Sequence, residues 1–230
     1  MATSSVSTSG KIKWWGGGIS PLNVEYGKVM MWFFLISDAL TFGAFLISYG
    51  TTRFATSSWP DPNTVFKSVP IPGLHLEGNY PLVFVSIMTF ILIISSVTMV
   101  LAVQAGQRMD KKAVVKNLIY TIIGGLAFVG CQAMEWYHLH EEGAWWGKNP
   151  FANSNGTLSS PNFTNYFFTI TGFHGFHVST GILINIIMLI MTLCNVFEKR
   201  KSYLMIEKAG LYWHFVDLVW VFVFTCFYLL

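Results

Sequence analysis

The sequence has few charged residues. They make up 11% of its 230 residues, against roughly 25% in an ordinary globular domain. Hydrophobic residues reach 53% and aromatic residues 17%. This balance excludes disordered, collagen-like and coiled-coil proteins, and a net charge of +3 is too small to indicate a nucleic-acid partner. The composition predicts a membrane protein of one compact unit, provided that its apolar residues form long runs.

Proline and cysteine are also informative by their scarcity. All eight prolines lie outside the long apolar runs, so no proline interrupts a helix there. The cysteines are odd in number and lie within or at the ends of apolar runs, where we expect buried and unreactive thiols. They are Cys131, Cys194 and Cys226.

Five apolar runs are each about as long as a membrane crossing. An α-helix needs ~20 residues to cross the ~30 Å hydrocarbon layer, where backbone groups find no partner in lipid. The runs do not alternate in polarity, which favours helices over the strands of a barrel. The sequence therefore predicts an all-α, five-helix integral membrane bundle. It comprises an arm at residues 1–28 and a domain at 29–230, with helices at about 29–50, 82–103, 113–135, 166–196 and 209–230.

Lysine and arginine are concentrated on one side of the predicted bundle. The arm and the second and fourth connections hold most of the 14 basic residues. The positive-inside bias then predicts a cytoplasmic N-terminus and a C-terminus on the outer side. Basic side chains near an interface can bind phospholipid headgroups, or can simply extend into solvent. The candidates for headgroup binding are Arg53, Arg108 and Arg200.

Six ionisable residues lie inside the predicted helices, where each is costly in lipid and indicates a protein-facing role. At 1.5 Å per residue, Asp38, Asp217 and the histidines fall in one layer near mid-membrane. We therefore expect both aspartates to face the bundle interior or a partner. At least one should reach a histidine, serine or threonine on another helix. The six residues are Asp38, Glu135, His174, His177, His214 and Asp217.

Three functions are compatible with these residues. A metal enzyme could use Glu135 with His138, or His174 with His177, but both sets are smaller than the ligand sets of zinc or di-iron sites, so we expect no bound metal. A stand-alone proton relay or transporter could use the acids and histidines, although the sequence shows no continuous polar path and no broken helices. A structural bundle that binds a larger partner and lipid needs no complete site, and the sequence favours it.

Two long stretches resemble subunit III of the haem–copper terminal oxidases. Residues 167–178, FFTITGFHGFHV, are similar to its TGFHGxHV signature, and residues 207–220, EKAGLYWHFVDLVW, to its EAGxYWHFVDxVW stretch. QAMEWY at 132–137 and ISSVT at 94–98 are shorter matches. Together they cover the chain from about residue 28 to its end. The five helices correspond to the last five of the seven in longer members.

This resemblance implies an accessory subunit of a cytochrome c oxidase, and the alternative is subunit III of a quinol oxidase. In both cases the implied location is a bacterial plasma membrane. Such a complex reduces oxygen in aerobic respiration and pumps protons. Its haem and copper belong to partner subunits, so this chain would carry no redox centre and no catalytic residue. The resemblance also implies contact with subunit I, a complex that includes subunit II, bound phospholipid and support of proton uptake. Asp38 stands where many members have a carbodiimide-reactive glutamate, and its role, proton-linked or structural, stays open.

Overall fold

A computed structural model describes residues 26–57, 59–60, 65–66, 81–151, 159–200 and 202–229, without the side chains of Pro81 and Arg200. The predicted all-α class is confirmed, because these residues form helices and no sheet, apart from one isolated bridge between Trp145 and Lys148. The helices are α1 (Tyr26–Ala55), α2 (Pro81–Gln107), α3 (Lys111–Glu141), α4 (Asn162–Leu193), α5 (Val196–Arg200) and α6 (Leu204–Phe224), and a π-helical turn (Thr225–Leu229) follows.

The prediction of five membrane-spanning helices is confirmed by length and composition. α1, α2, α3, α4 and α6 with its π-helical turn are each long and apolar enough to cross a membrane. They extend beyond the apolar runs: α3 has 31 residues, or about 46 Å at 1.5 Å per residue. α1 already begins at Tyr26, whereas residues 1–25 of the predicted arm lie outside the described residues. The orientation of the bundle in the membrane stays a prediction.

The fourth run was predicted as one helix to residue 196, but α4 ends at Leu193. Asn195 adopts a left-handed backbone conformation with φ of 57°, which ends the helix and leads into the short helix α5. Asparagine tolerates this conformation better than most residues do. In the turn between α2 and α3, the side chain of Asp110 accepts a hydrogen bond from the backbone of Ala113 and caps α3.

One end of the bundle carries most of the described lysines, and we call it the basic end. Polar contacts join the helix ends there. Lys28 at the start of α1 forms an ion pair of 2.7 Å with Glu207 at the start of α6. Lys111 at the start of α3 donates to the side chain of Asn195 beyond the end of α4. These contacts show that the starts of α1, α3 and α6 and the end of α4 lie at the same end of the bundle.

α6 is central in the bundle and α1 is peripheral. α6 packs against α1, α2 and α4, and α3 packs against α2 and α4. Only 11% of the residues in the most apolar stretch of α1 are buried, against 44% in α2 and in the last span. The outward face of α1 therefore needs an apolar neighbour, which is lipid or the helix of another protein.

Trp213 of α6 fills the centre of the bundle, where glycines on two neighbouring helices make room for it. Its side chain is 1% exposed. A Cβ atom at Gly125 of α3 would lie 2.6 Å from Cη2 of the indole, and one at Gly181 of α4 would lie 2.9 Å from Cε3. Because real Cβ atoms essentially never come this close, both positions require glycine as long as the indole stays in place.

We expect Gly125→Ala to lower the free energy of unfolding by about 1–3 kcal/mol, because the added methyl group must displace the Trp213 indole. Gly130→Ala in the same helix is the control. A Cβ there meets nothing within 4 Å, and alanine favours a helix over glycine. Thermal unfolding of both variants in the same detergent measures the difference, and equal midpoints would contradict the packing of Trp213.

Candidate functional site: the intramembrane acids and histidines

Asp38 of α1 and His177 of α4 face each other across the contact between these helices. Oδ2 of Asp38 lies 3.4 Å from Nε2 of His177, and their side chains are 16% and 8% exposed. Phe42, one turn after Asp38, covers the imidazole with a centroid distance of 5.4 Å between the two rings. The structure thus places one of the two predicted aspartates beside a histidine of another helix.

A second contact of His177 determines which ring nitrogen faces Asp38. Nδ1 lies 2.8 Å from the carbonyl oxygen of Phe173, and a carbonyl can only accept, so Nδ1 carries a proton. Nε2 is therefore the nitrogen that faces Asp38. The distance of 3.4 Å is longer than a typical hydrogen bond, and Oδ2 of Asp38 has no hydrogen-bond partner among the described residues.

His174 has a structural position in the same layer. It is 1% exposed, and its Nε2 donates to the carbonyl oxygen of Val216 in α6 over 3.1 Å. Its ring packs against Phe128 and Trp220, with centroid distances of 5.7 and 5.1 Å. The proton of the neutral ring is thus on Nε2, and the side chain joins α4 to α6.

Ser96 of α2 contacts another predicted residue of the layer. Its Oγ lies 2.6 Å from Nδ1 of His214 in α6, so it joins these two helices. Asp217 lies three residues after His214 in the same helix, and its Oδ1 is buried without a hydrogen-bond partner among the described residues.

Glu135 lies apart from this layer, near the end of the bundle opposite the basic end. Its carboxylate accepts hydrogen bonds of 2.8 Å from Nε2 of Gln132 and from the hydroxyl of Tyr228 in the π-helical turn. His138 instead lies 3.4 Å from the carboxylate of Glu142. The two residues of the Glu-x-x-His spacing thus contact different partners.

The described residues contain no group of three or more His, Cys, Asp or Glu side chains arranged to hold a metal ion. The expectation that this chain binds none stays a prediction. Among the headgroup candidates, Arg53 is half-buried and donates to the hydroxyl of Tyr49 over 3.2 Å, and Arg108 is exposed. The side chain of Arg200 lies outside the described residues. Their binding to lipid also stays a prediction.

The sequence alone did not identify Tyr228, Gln132 or Phe42 as parts of these clusters. Gln132 lies one helical turn before Glu135, so its spacing could have indicated the hydrogen bond. Tyr228 and Phe42 belong to other helices than the residues they contact, and no spacing along the chain indicates such pairs.

We expect Tyr228→Phe to lower the free energy of unfolding by about 1–3 kcal/mol, because it leaves one oxygen of the buried Glu135 carboxyl without its hydroxyl donor. Tyr120→Phe, which removes a hydroxyl from a half-exposed ring on α3, is the control and should change little. Denaturant unfolding of the two variants in one detergent compares them. A stability of Tyr228→Phe equal to that of the control would show that the hydrogen bond contributes nothing.

Comparison with known proteins agrees with the sequence motifs. The family model described as cytochrome c oxidase subunit III matches residues 18–230. The chain is 33% identical over 205 residues to cytochrome c oxidase subunit 3 of Alkalihalophilus pseudofirmus, covering 86% of this chain and 84% of the relative. It is 34% identical to quinol oxidase subunit 3 of Bacillus subtilis, with the same coverage of both chains. It is 32% identical to the probable quinol oxidase subunit 3 of Staphylococcus aureus, covering 90% of this chain and 90% of the relative. The chain therefore belongs to the cytochrome c oxidase subunit III family of the haem–copper oxidases.

Proposed function

We propose that this chain is an accessory, non-redox subunit of a respiratory terminal oxidase that reduces oxygen and pumps protons. The family match over residues 18–230 is the observation that carries the proposal. The structure is compatible with it, because most of the acids and histidines inside the spans contact groups of the same chain. The proposed role is to stabilise subunit I, to bind phospholipid and to support proton uptake.

Quinol is the electron donor that we propose first for the complex. Relatives named as quinol oxidase subunit 3 reach 34% identity and match up to 90% of the chain, and they support the quinol alternative better than the initial expectation of cytochrome c. Cytochrome c is the second candidate, supported by the name of the Alkalihalophilus pseudofirmus relative at 33% identity. The donor is oxidised by other subunits in either case, so the residues described above do not discriminate between the two.

The proposed location is a bacterial plasma membrane, with the basic end of the bundle in the cytoplasm. Bacterial relatives and five apolar helices support the location, and the positive-inside bias supports the orientation. Subunit I is the main partner that we propose, and subunit II belongs to the same complex. The exposed apolar surface of α1, including Phe33, Leu40 and Ile47, is compatible with a transmembrane partner or with lipid.

Affinity purification of the tagged chain from native membranes in mild detergent tests the assignment. We expect a haem-containing subunit I to co-purify, together with oxygen consumption driven by quinol. Oxygen consumption driven by reduced cytochrome c, and not by quinol, would instead support the second donor. A stable, monodisperse single chain with its own haem or iron spectrum would contradict the proposal and favour a stand-alone metal enzyme.

The oxidase that contains Asp38→Asn tests whether the acid at position 38 has a proton-linked function. An asparagine amide can donate to Nε2 of His177, so we expect normal assembly and a stability change below about 1 kcal/mol. We expect a shorter turnover lifetime, because the amide preserves size and hydrogen bonding but removes the acid. Asp110→Asn is the matched control, since it removes an exposed acid and retains a good helix cap. Loss of assembly in Asp38→Asn, or a lifetime equal to that of the control, would contradict a proton-linked role.

A further inference from the structure

A groove of about 270 Å³ lies between α3 and α4, in the half of the bundle away from the basic end. Five residues of each helix line it. On α3 they extend from Phe128 to Trp136, about 26 and 38 Å along the helix axis from Lys111 at the basic end. The floor of the groove lies inside the bundle, because Phe128 and Thr171 are fully buried. The groove is therefore an indentation between two helices and not the open face of one.

Two glycines of α4 give the groove its depth. A Cβ atom at Gly175 would meet no atom within 4 Å, so the space above its backbone is open. A Cβ atom at Gly172 would lie 3.0 Å from Cη2 of Trp136, whose indole belongs to the opposite wall. Pockets for drug-sized ligands have roughly 300–1,000 Å³. The smaller volume of this groove suits a single substituted ring beside its aromatic walls.

The hydroxyl and indole groups of the lining have their protons committed within the protein. The Ser179 hydroxyl donates to the carbonyl oxygen of Gly175, and the Thr171 hydroxyl donates to that of Phe167. The indole N–H of Trp136 donates to Oγ1 of Thr171. A hydroxyl oxygen that donates its proton can still accept, so these groups offer acceptors to a ligand.

Gln132 provides the second and independent indication of a ligand that donates. Its side chain lines the groove and is 6% exposed. Nε2 donates to Glu135, whereas Oε1 is buried and has no hydrogen-bond partner among the described residues. A buried acceptor without a donor is costly. A ligand that places a hydroxyl group at this point of the groove removes that cost.

The lining is also neutral. Among the residues that the structure describes, no Lys, Arg, His, Asp or Glu side chain lines the groove. It therefore has no group that would bind a phosphate or a carboxylate, and an alkyl chain alone would leave the acceptors without a donor. A hydroquinone combines the required properties, because it has a flat neutral ring, two hydroxyl donors and an apolar tail. The oxidised quinone has carbonyl oxygens in place of the hydroxyls, and these can only accept.

We propose that this groove binds the reduced head group of a membrane quinol. The ring lies over Gly175, beside Trp136 and Phe176, and one of its hydroxyls donates to Oε1 of Gln132. The tail leaves the groove toward the hydrocarbon layer. The site holds quinol without oxidising it. The requirement for a neutral donor comes from the groove, whereas the choice of quinol rests on the proposed quinol oxidase.

Native mass spectrometry of the full chain in detergent, titrated under anaerobic conditions with decylubiquinol and with decylubiquinone, tests the site. We expect the quinol to bind about tenfold more tightly or better, because only the quinol donates to Gln132. Gln132→Leu should abolish this preference. Tyr228→Phe is the matched control, since it also removes a donor from Glu135 but retains Oε1 of Gln132, and it should keep the preference.

A second pair of variants tests the place of binding. Gly175→Leu fills the open space of the groove, so it should weaken quinol binding about tenfold or more. Gly130→Leu adds the same side chain at an equally open position of α3 outside the lining, and it should bind quinol as the wild type does. An excess of dioleoyl phosphatidylcholine should not displace the quinol.

The proposal is overturned by equal binding of quinol and quinone, by a preference that survives Gln132→Leu, by unchanged binding in Gly175→Leu, or by displacement with phosphatidylcholine. The donor assignment fails separately. If the purified oxidase uses cytochrome c while the chain still binds quinol in the groove, only the proposed donor is wrong. If quinol drives oxygen consumption but does not bind to this chain, only the groove proposal is wrong.

Discussion

Polar side chains inside a membrane-spanning bundle must find partners within the protein, because the surrounding lipid supplies none. Many hydroxyl groups bond to the backbone of their own helix, as Thr171 does, but several polar side chains have a partner on another helix. His174 bonds to the backbone of α6, Ser96 of α2 bonds to His214 of α6, and Glu135 of α3 bonds to Tyr228. Apolar packing discriminates poorly between helices that are all surrounded by hydrocarbon. These hydrogen bonds therefore specify which helices become neighbours.

The carboxyl groups of Glu135 and Asp38 both face a side chain of another helix, but they are suited to different roles. Glu135 is bonded to an amide and a phenol, neither of which readily exchanges a proton near neutral pH. Asp38 faces an imidazole whose other nitrogen is already protonated by its contact with Phe173. An imidazole, unlike an amide or a phenol, is a side chain that commonly exchanges protons near neutral pH. This difference makes Asp38 the better candidate for a proton-linked role and Glu135 the better candidate for a structural one.

The sequence predicted the properties that depend on one segment at a time. The length of the apolar runs predicted five spanning helices, and depth along the helices placed Asp38 and His177 in one layer, as the structure shows. Apart from this shared depth, the specific pairs that two segments form were not accessible. Glu135 and His138 have the spacing of a metal pair, but the C-terminal turn supplies Tyr228 to one of them and Glu142 attracts the other. The glycines around Trp213 likewise have meaning only once α3, α4 and α6 are packed together.

The attachment of α1 combines these constraints. α1 buries little apolar surface, yet polar contacts hold it to its neighbours at three depths. Lys28 pairs with Glu207 at the basic end, Asp38 faces His177 in the middle, and Tyr49 donates to the carbonyl oxygen of Cys226 at the opposite end. The first of these contacts is partly exposed, so it contributes little in water. The middle contact joins less exposed side chains, 16% for Asp38 and 8% for His177, so solvent screens it less. The contact between Asp38 and His177 therefore contributes more to the attachment of α1 than the exposed pair at the basic end does.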